Sequence, residues 1–196
     1  MSARALKTIV AVLAPAPLVY LVYLTLAGHL GVNPIETVTL FTGRWTLRLL
    51  LVTLAVTPVR RLFKWNAIIS VRRMLGLFTF FYACIHLSIY VAIDQFFAWD
   101  VVVEDITKRP FIMAGMGAFL LMLPLALTST QASIRRLGRR WAQLHMLIYP
   151  AAVLGVVHFV WKVKSDLRSP MRYALVLALL LGFRVAWNAR KRLSRA

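Results

Sequence analysis

Four histidines stand in this chain of 196 residues: His29, His86, His145 and His158. Two of them share the stretch 143–164, QLHMLIYPAAVLGVVHFVWKVK, inside an otherwise apolar run. A ring nitrogen without a partner is costly in such surroundings. An imidazole kept there is expected to ligate a metal, relay a proton or hydrogen-bond to a neighbouring helix. Spacing narrows the choice. His145 and His158 are thirteen residues apart, about 20 Å along a helix at 1.5 Å per residue, so they cannot grip one ion. His145 follows Arg140 closely, whereas His158 comes just before Lys162. His86 lies thirteen residues past Arg73 and eight before Asp94, which puts it at the depth of His158. Two level imidazoles on neighbouring helices can fill both axial positions of one haem iron. The plainer alternative is that each ring bonds to the next helix. His29, at the end of the first apolar run, is expected to be interfacial.

The elements that must carry these rings are helices in lipid. The chain is 61% hydrophobic with a mean hydropathy of +0.75, where a soluble domain is nearer half apolar. Uncharged runs cover 9–28, 49–58, 74–93, 111–133, 141–161 and 173–183. Runs of roughly 17–25 residues cross a bilayer, and the two shorter ones lengthen by tolerating an arginine near one end. The expectation is an all-α polytopic membrane protein, a six-helix transmembrane bundle over 8–28, 42–58, 72–95, 111–129, 139–162 and 171–188. Residues 1–196 then form a single domain. The first run mimics a signal peptide, but its apolar core is longer than usual. It reads as a retained helix, bent near Pro15 and Pro17. The connection FFAWDVVVEDITKRP between the third and fourth helices reads as an outer polar loop with aromatic residues at the interface.

The net charge of +18 is arranged by side. With both termini together, one face carries Arg4, Lys7, Arg60, Arg61, Lys64, Arg72, Arg73, Arg135, Arg136, Arg139, Arg140, Arg184, Arg190, Lys191, Arg192 and Arg195, 16 of the 24 cations. The other holds Arg44, Arg48, Lys108, Arg109, Lys162, Lys164, Arg168 and Arg172, with all six acids, for 8 − 6 = +2. The 2:1 excess of basic residues places both termini in the cytoplasm. It also favours contact with anionic lipid over nucleic acid. Cys84 is alone, so neither an internal disulfide nor a four-cysteine cluster can form, and C-x-x-C-H, the c-type haem signature, does not occur. There is no clear internal repeat, and neither G-x-G-x-x-G nor a Walker A sequence is found. Nicotinamide chemistry would have to come from a partner. Arg44 and Arg48 share one helix face, and Arg48 could neutralise a haem propionate or reach lipid phosphates.

The segments GVNPIETVTLFTGRWTLRLLLVTLAVTPVRR and VRRMLGLFTFFYACIHLSIYV resemble the haem-containing membrane subunit of the bacterial periplasmic methionine sulfoxide reductase system, the MsrQ or YedZ family. The elements N-P-I-E, T-G-x-W, T-P-x-R-R and R-R-x-L-G-L-x-x-F-x-Y-x-x-x-H carry the resemblance, which extends over essentially the whole chain. It implies a relative of the ferric reductase and NADPH oxidase membrane domain in the bacterial inner membrane, binding haem b and also FMN. It further implies electron transfer from a cytosolic flavin reductase or a quinol to a periplasmic molybdopterin-containing methionine sulfoxide reductase. The chain would then be an electron-transfer subunit and not a stand-alone enzyme. His86, His145 and His158 occupy the positions of the family's haem histidines. The oxidases carry two histidines on each of two helices. Here Arg72 stands near the place of the fourth, so the simplest reading is one haem on His86 and His158. His145 is left for an inner cofactor, with the flavin as the candidate and Arg72 or Arg73 as phosphate partners. Competing readings are a haem-dependent ferric or cupric reductase component, a small proton or ion transporter, and a structural anchor for a periplasmic enzyme.

Overall fold

A computed structural model describes residues 2–163 and 166–194; Lys164 and Arg195, two of the cations counted above, lie outside the described residues. Among these the chain is helical, with no strand: α1 (Ala3–Leu13), α2 (Ala16–Leu26), α3 (Pro34–Phe63), α4 (Arg72–Ser88), α5 (Trp99–Lys108), α6 (Pro110–Leu127), α7 (Gln131–Leu137), α8 (Arg139–Leu144), α9 (Ile148–Lys162) and α10 (Arg168–Leu193). A 3-10 turn over Asn66–Val71 leads into α4, and a π-helical turn over Ile89–Asp94 continues it.

Among the described residues, five segments are long and apolar enough to cross a membrane: Ala3–Leu26, Asn66–Asp94, Pro110–Leu127, Arg139–Lys162 and Arg168–Lys191. Helix α3 is not among them, because Arg44, Arg48 and a series of threonines dilute its apolar residues. It is nonetheless central. Leu47, Leu50, Leu51 and Leu54 of α3 pack with Ala152, Val156 and Phe159 of α9 and Leu177 of α10. At 30 residues it is about 45 Å long, and it exceeds the expected 42–58 at both ends. Asn33 starts it early by accepting the Glu36 N–H through its side chain, with Pro34 in the first turn; this is a strong helix start.

Prolines shape the bundle by what they leave unbonded. The first span breaks at Ala14–Pro15, as the sequence suggests. There the Ala14 carbonyl accepts the Tyr82 hydroxyl at 2.7 Å, which ties the break to α4. Pro58 inside α3 has no N–H to give Leu54 four residues back. Arg184 of α10 supplies the missing donor, its Nη2 lying 2.8 Å from the Leu54 oxygen. Leu6 packs with Val71 and, nearby, Trp65 and Ile68, while Arg61 lies over the Trp187 ring at 5.1 Å. The start of α1, the turn after α3 and the end of α10 therefore share one end of the bundle.

The connection after the third span is a correction to the loop expected there. Residues Trp99–Lys108 form helix α5, with Asp100 in the first turn, where a negative charge suits the helix dipole. Val102 and Asp105, one turn apart, face inward. Their spacing was readable as a helix, yet the short polar run masked it. Arg109 is held extended by the following Pro110 and separates α5 from α6.

Candidate functional site

Helices α3, α4, α6 and α9 enclose a cavity of about 540 Å³ in the half of the bundle away from the termini. His86 from α4 and His158 from α9 both line it. Their ring centres are 6.2 Å apart and the planes are nearly perpendicular, at 79°. Each ring is held from behind by a backbone oxygen. His86 Nδ1 lies 3.0 Å from the Thr39 carbonyl, and the Thr42 hydroxyl is 3.3 Å from the same nitrogen. His158 Nδ1 lies 2.6 Å from the Phe111 carbonyl. A carbonyl only accepts, so Nδ1 carries the proton and Nε2 keeps its lone pair. Donation of the second ring N–H to a carbonyl is the arrangement that orients metal-ligating histidines. Each Nε2 is thus left free to ligate, and with the ring centres 6.2 Å apart beside a largely apolar space, a metal centre with two axial imidazoles can sit between them.

Two glycines make room for the rings. A Cβ on Gly43 would lie 2.9 Å from His86 Cε1, and one on Gly115 would lie 2.6 Å from His158 Nδ1. The two half-sites follow one spacing. Thr39, Gly43 and His86 recur 72 positions later as Phe111, Gly115 and His158. No other part of the two segments matches well, so the repeat escapes inspection of the sequence; a fixed Gly-to-His interval was the signal available.

Charged groups gather where the cavity nears its outer end. Arg44, Arg109 and Lys162 line it there, with Glu36, Asp94 and Asn33. Asp105, 5% exposed, ties two of the lining residues together: it accepts the Tyr90 hydroxyl at 2.9 Å and pairs with Arg109 at 2.9 Å. Arg44 lines the cavity, whereas Arg48, the expected propionate partner, does not. Its Nε donates to the Tyr173 hydroxyl at 3.0 Å and its guanidinium lies 4.8 Å over Trp45. Nor do the other expected site residues join the pair. His145 stands at the far end of the bundle, stacked on Trp141 at 3.8 Å and 27°, with Nδ1 3.0 Å from the Trp141 carbonyl. Arg72 and Arg73 begin α4 at that same end. His29 is exposed just beyond α2.

A family model described as "Ferric reductase like transmembrane component" matches residues 42–156, more than half of the chain. A protein of Xanthomonas axonopodis pv. citri is 49% identical over 190 residues, covering 94% of this chain and 87% of its own length. One of Herminiimonas arsenicoxydans is 46% identical over 95% of this chain and 87% of its own, and one of Rhodospirillum rubrum 50% identical over 91% and 86%. Each of the three is named protein-methionine-sulfoxide reductase heme-binding subunit MsrQ. The chain belongs to the MsrQ family. No solved structure matches it. Membership accounts for the all-helical, multi-pass architecture and identifies a redox membrane component. The family match stops at residue 156, so the second cavity histidine, His158, lies just past it.

Proposed function

We propose that this chain is a transmembrane electron conduit holding one haem b between His86 and His158. The observation that carries the reading is the ring separation. Two metal–imidazole bonds of about 2.0–2.1 Å in line, plus about 1.1 Å from each nitrogen to its ring centre, call for roughly 6.3 Å; the rings stand 6.2 Å apart. The cavity's 540 Å³ falls within the roughly 300–1,000 Å³ of cofactor sites, and its walls of leucine, methionine and phenylalanine suit a macrocycle. Haem bound there supplies a one-electron ferric–ferrous couple. The residues do the rest. His86 and His158 would hold the iron from both sides, which would leave no position for oxygen and would favour transfer over oxygenation. Thr39 and Phe111 fix the ring orientation. Arg44 and Lys162 at the outer end are the cations suited to the propionates. FMN fits less well. Trp141 already covers a face of His145, and His145, Arg72 and Arg73 stand at the end of the bundle away from the cavity.

In this reading α3 is the sixth span and residues 1–196 act as one domain with both termini in the cytoplasm of a bacterial inner membrane. The excess of basic residues at the termini's end supports that orientation. Electrons leave a cytosolic flavin reductase or a quinol and reach a periplasmic molybdenum-containing methionine sulfoxide reductase. Outward movement is aided by the membrane potential, by about 2.3 kcal/mol per 100 mV for a full crossing. The family-model description supports a second reading, transfer to ferric or cupric salts.

The test is a visible spectrum of the purified chain, followed by reconstitution in liposomes with a flavin reductase inside. A Soret band that shifts on dithionite reduction, and faster turnover with the molybdoenzyme than with metal salts outside, is the expected result. Preference for the salts favours the second reading. A colourless protein that takes up no added haemin overturns both.

A further inference from the structure

We infer that Gly43 and Gly115 are positioning residues for the two iron ligands, acting through His86 and His158; the inference rests on the haem reading above. A glycine inside a helix is normally less favourable than alanine, so a glycine kept there needs a local reason. At these two positions the reason is contact with a ring. The hypothetical Cβ distances of 2.9 Å to His86 and 2.6 Å to His158 are shorter than real Cβ contacts allow, whereas Gly76 has only Thr53 Cγ2 at 3.8 Å and Gly182 has nothing within 4 Å.

Each glycine also stands four residues after the carbonyl that holds the ring: Thr39 before Gly43 and Phe111 before Gly115. In a helix that carbonyl faces the N–H of the glycine itself. The imidazole therefore sits close against one turn of the neighbouring helix, its Nδ1–H on the carbonyl and its Nδ1–Cε1 edge over the bare Cα. A methyl group there leaves the ring two choices: give up the carbonyl or advance into the cavity. Either changes the angle at which Nε2 meets the iron. The collision differs on the two sides. At Gly115 the methyl meets Nδ1, the atom that makes the hydrogen bond; at Gly43 it meets Cε1, beside the ligating nitrogen. The larger loss belongs to Gly115.

The experiment is haemin titration of Gly43→Ala, Gly115→Ala, Gly76→Ala and Gly182→Ala alongside the unaltered chain, with low-temperature electron paramagnetic resonance of the ferric forms and midpoint potentials. Gly43→Ala and Gly115→Ala should bind haemin roughly 10- to 100-fold more weakly, the usual effect of losing an outer partner of a metal ligand. Their low-spin signals should move, while the two control variants match the unaltered chain. A second arm separates positioning from general packing. In a His158→Gly background supplied with free imidazole, adding Gly115→Ala should cost little further, because a ring no longer tethered to α9 can shift away from the methyl and still reach the iron. Unchanged affinity and signal in both alanine variants overturns the inference, as does an equal loss in the imidazole-rescued background. Failure of the unaltered chain to take up haemin sinks the haem reading itself, which keeps the two failures apart.

Discussion

The outer and inner halves of the bundle both hold histidine on α9 or just before it, yet only the outer half makes a site. Outside, His86 and His158 are each tied to a carbonyl of a neighbouring helix, on α3 and α6, and face a cavity of about 540 Å³. Inside, His145 turns back on its own chain: its partner is the Trp141 carbonyl four residues earlier, and the indole covers the ring. Elsewhere the helices pack on one another without a comparable cavity among the described residues. Leu49, Val56, Val71, Leu75 and Tyr82 form a packed cluster, and Arg184 occupies the gap left by Pro58. Residue type is therefore not what makes a ligand. An imidazole is available when a neighbouring backbone takes one nitrogen and small residues keep the space before the other one open.

The largest expected effect tests that contrast directly. His86→Ala or His158→Ala removes one of the two proposed iron ligands and should lower haem per protein, measured as pyridine haemochrome, to near zero. His145→Ala should leave the outer haem at full content with an unchanged Soret band. Equal loss in all three variants would abolish the distinction between the halves.

Much of this could be read before any coordinates. The all-helical membrane class follows from hydropathy. The pairing of His86 with His158 follows from depth counted against Arg73, Asp94 and Lys162, because a helix converts residue number into height. The bend at Pro15 follows from the missing N–H. What the sequence hid lies between segments. The carbonyls of Thr39 and Phe111 belong to the backbone and have no letter of their own. Arg44 and Arg48 are one turn apart on the same helix face, and only the packing of α10 decides that Arg48 meets Tyr173 while Arg44 lines the cavity. Helix α5 was concealed by its charges, since Asp105 reads as a loop residue until Tyr90 and Arg109 are placed beside it.

The next effect probes how the inner half is filled. Arg184→Met keeps an unbranched apolar stem but removes the donors to the Leu54 carbonyl and the Tyr149 hydroxyl, 2.8 and 3.0 Å away. An orphaned buried carbonyl costs about 1–3 kcal/mol, whereas hydrogen bonds measured within membranes average about 0.6 kcal/mol. A loss near 1 kcal/mol is expected, a drop of a few degrees in thermal midpoint in detergent, with haem content unaltered. A change in the haem spectrum would mean that the two halves are mechanically coupled. Asp105→Asn makes the matching change outside. Arg109 is more than half exposed, so its pairing is worth at most about 1 kcal/mol, and the Tyr90 bond can pass to the amide. A smaller fall in midpoint is expected, together with faster loss of haem to apomyoglobin as Tyr90 and Arg109, which line the cavity, lose their shared anchor.

The smallest effect lies between two adjacent arginines and sharpens the boundary of the outer site itself. Both are exposed cations on α3, one turn apart, so general electrostatics treats Arg44→Gln and Arg48→Gln alike. The structure does not. Arg44 borders the cavity beside Gly43, whereas Arg48 is engaged with Tyr173 and Trp45 on the flank of the bundle. A cation close to the haem stabilises its ferric state less than its ferrous state, because the ferrous form carries one more negative charge. Arg44→Gln should therefore lower the midpoint potential by a small but measurable amount, and Arg48→Gln by less, since an exposed charge further off is screened within about 10 Å at 0.1 M salt. Raising the ionic strength should shrink the Arg48 effect first. If instead Arg48→Gln gives the larger shift, the propionates point to the flank, and the cavity's charged outer end is not where the haem edge lies.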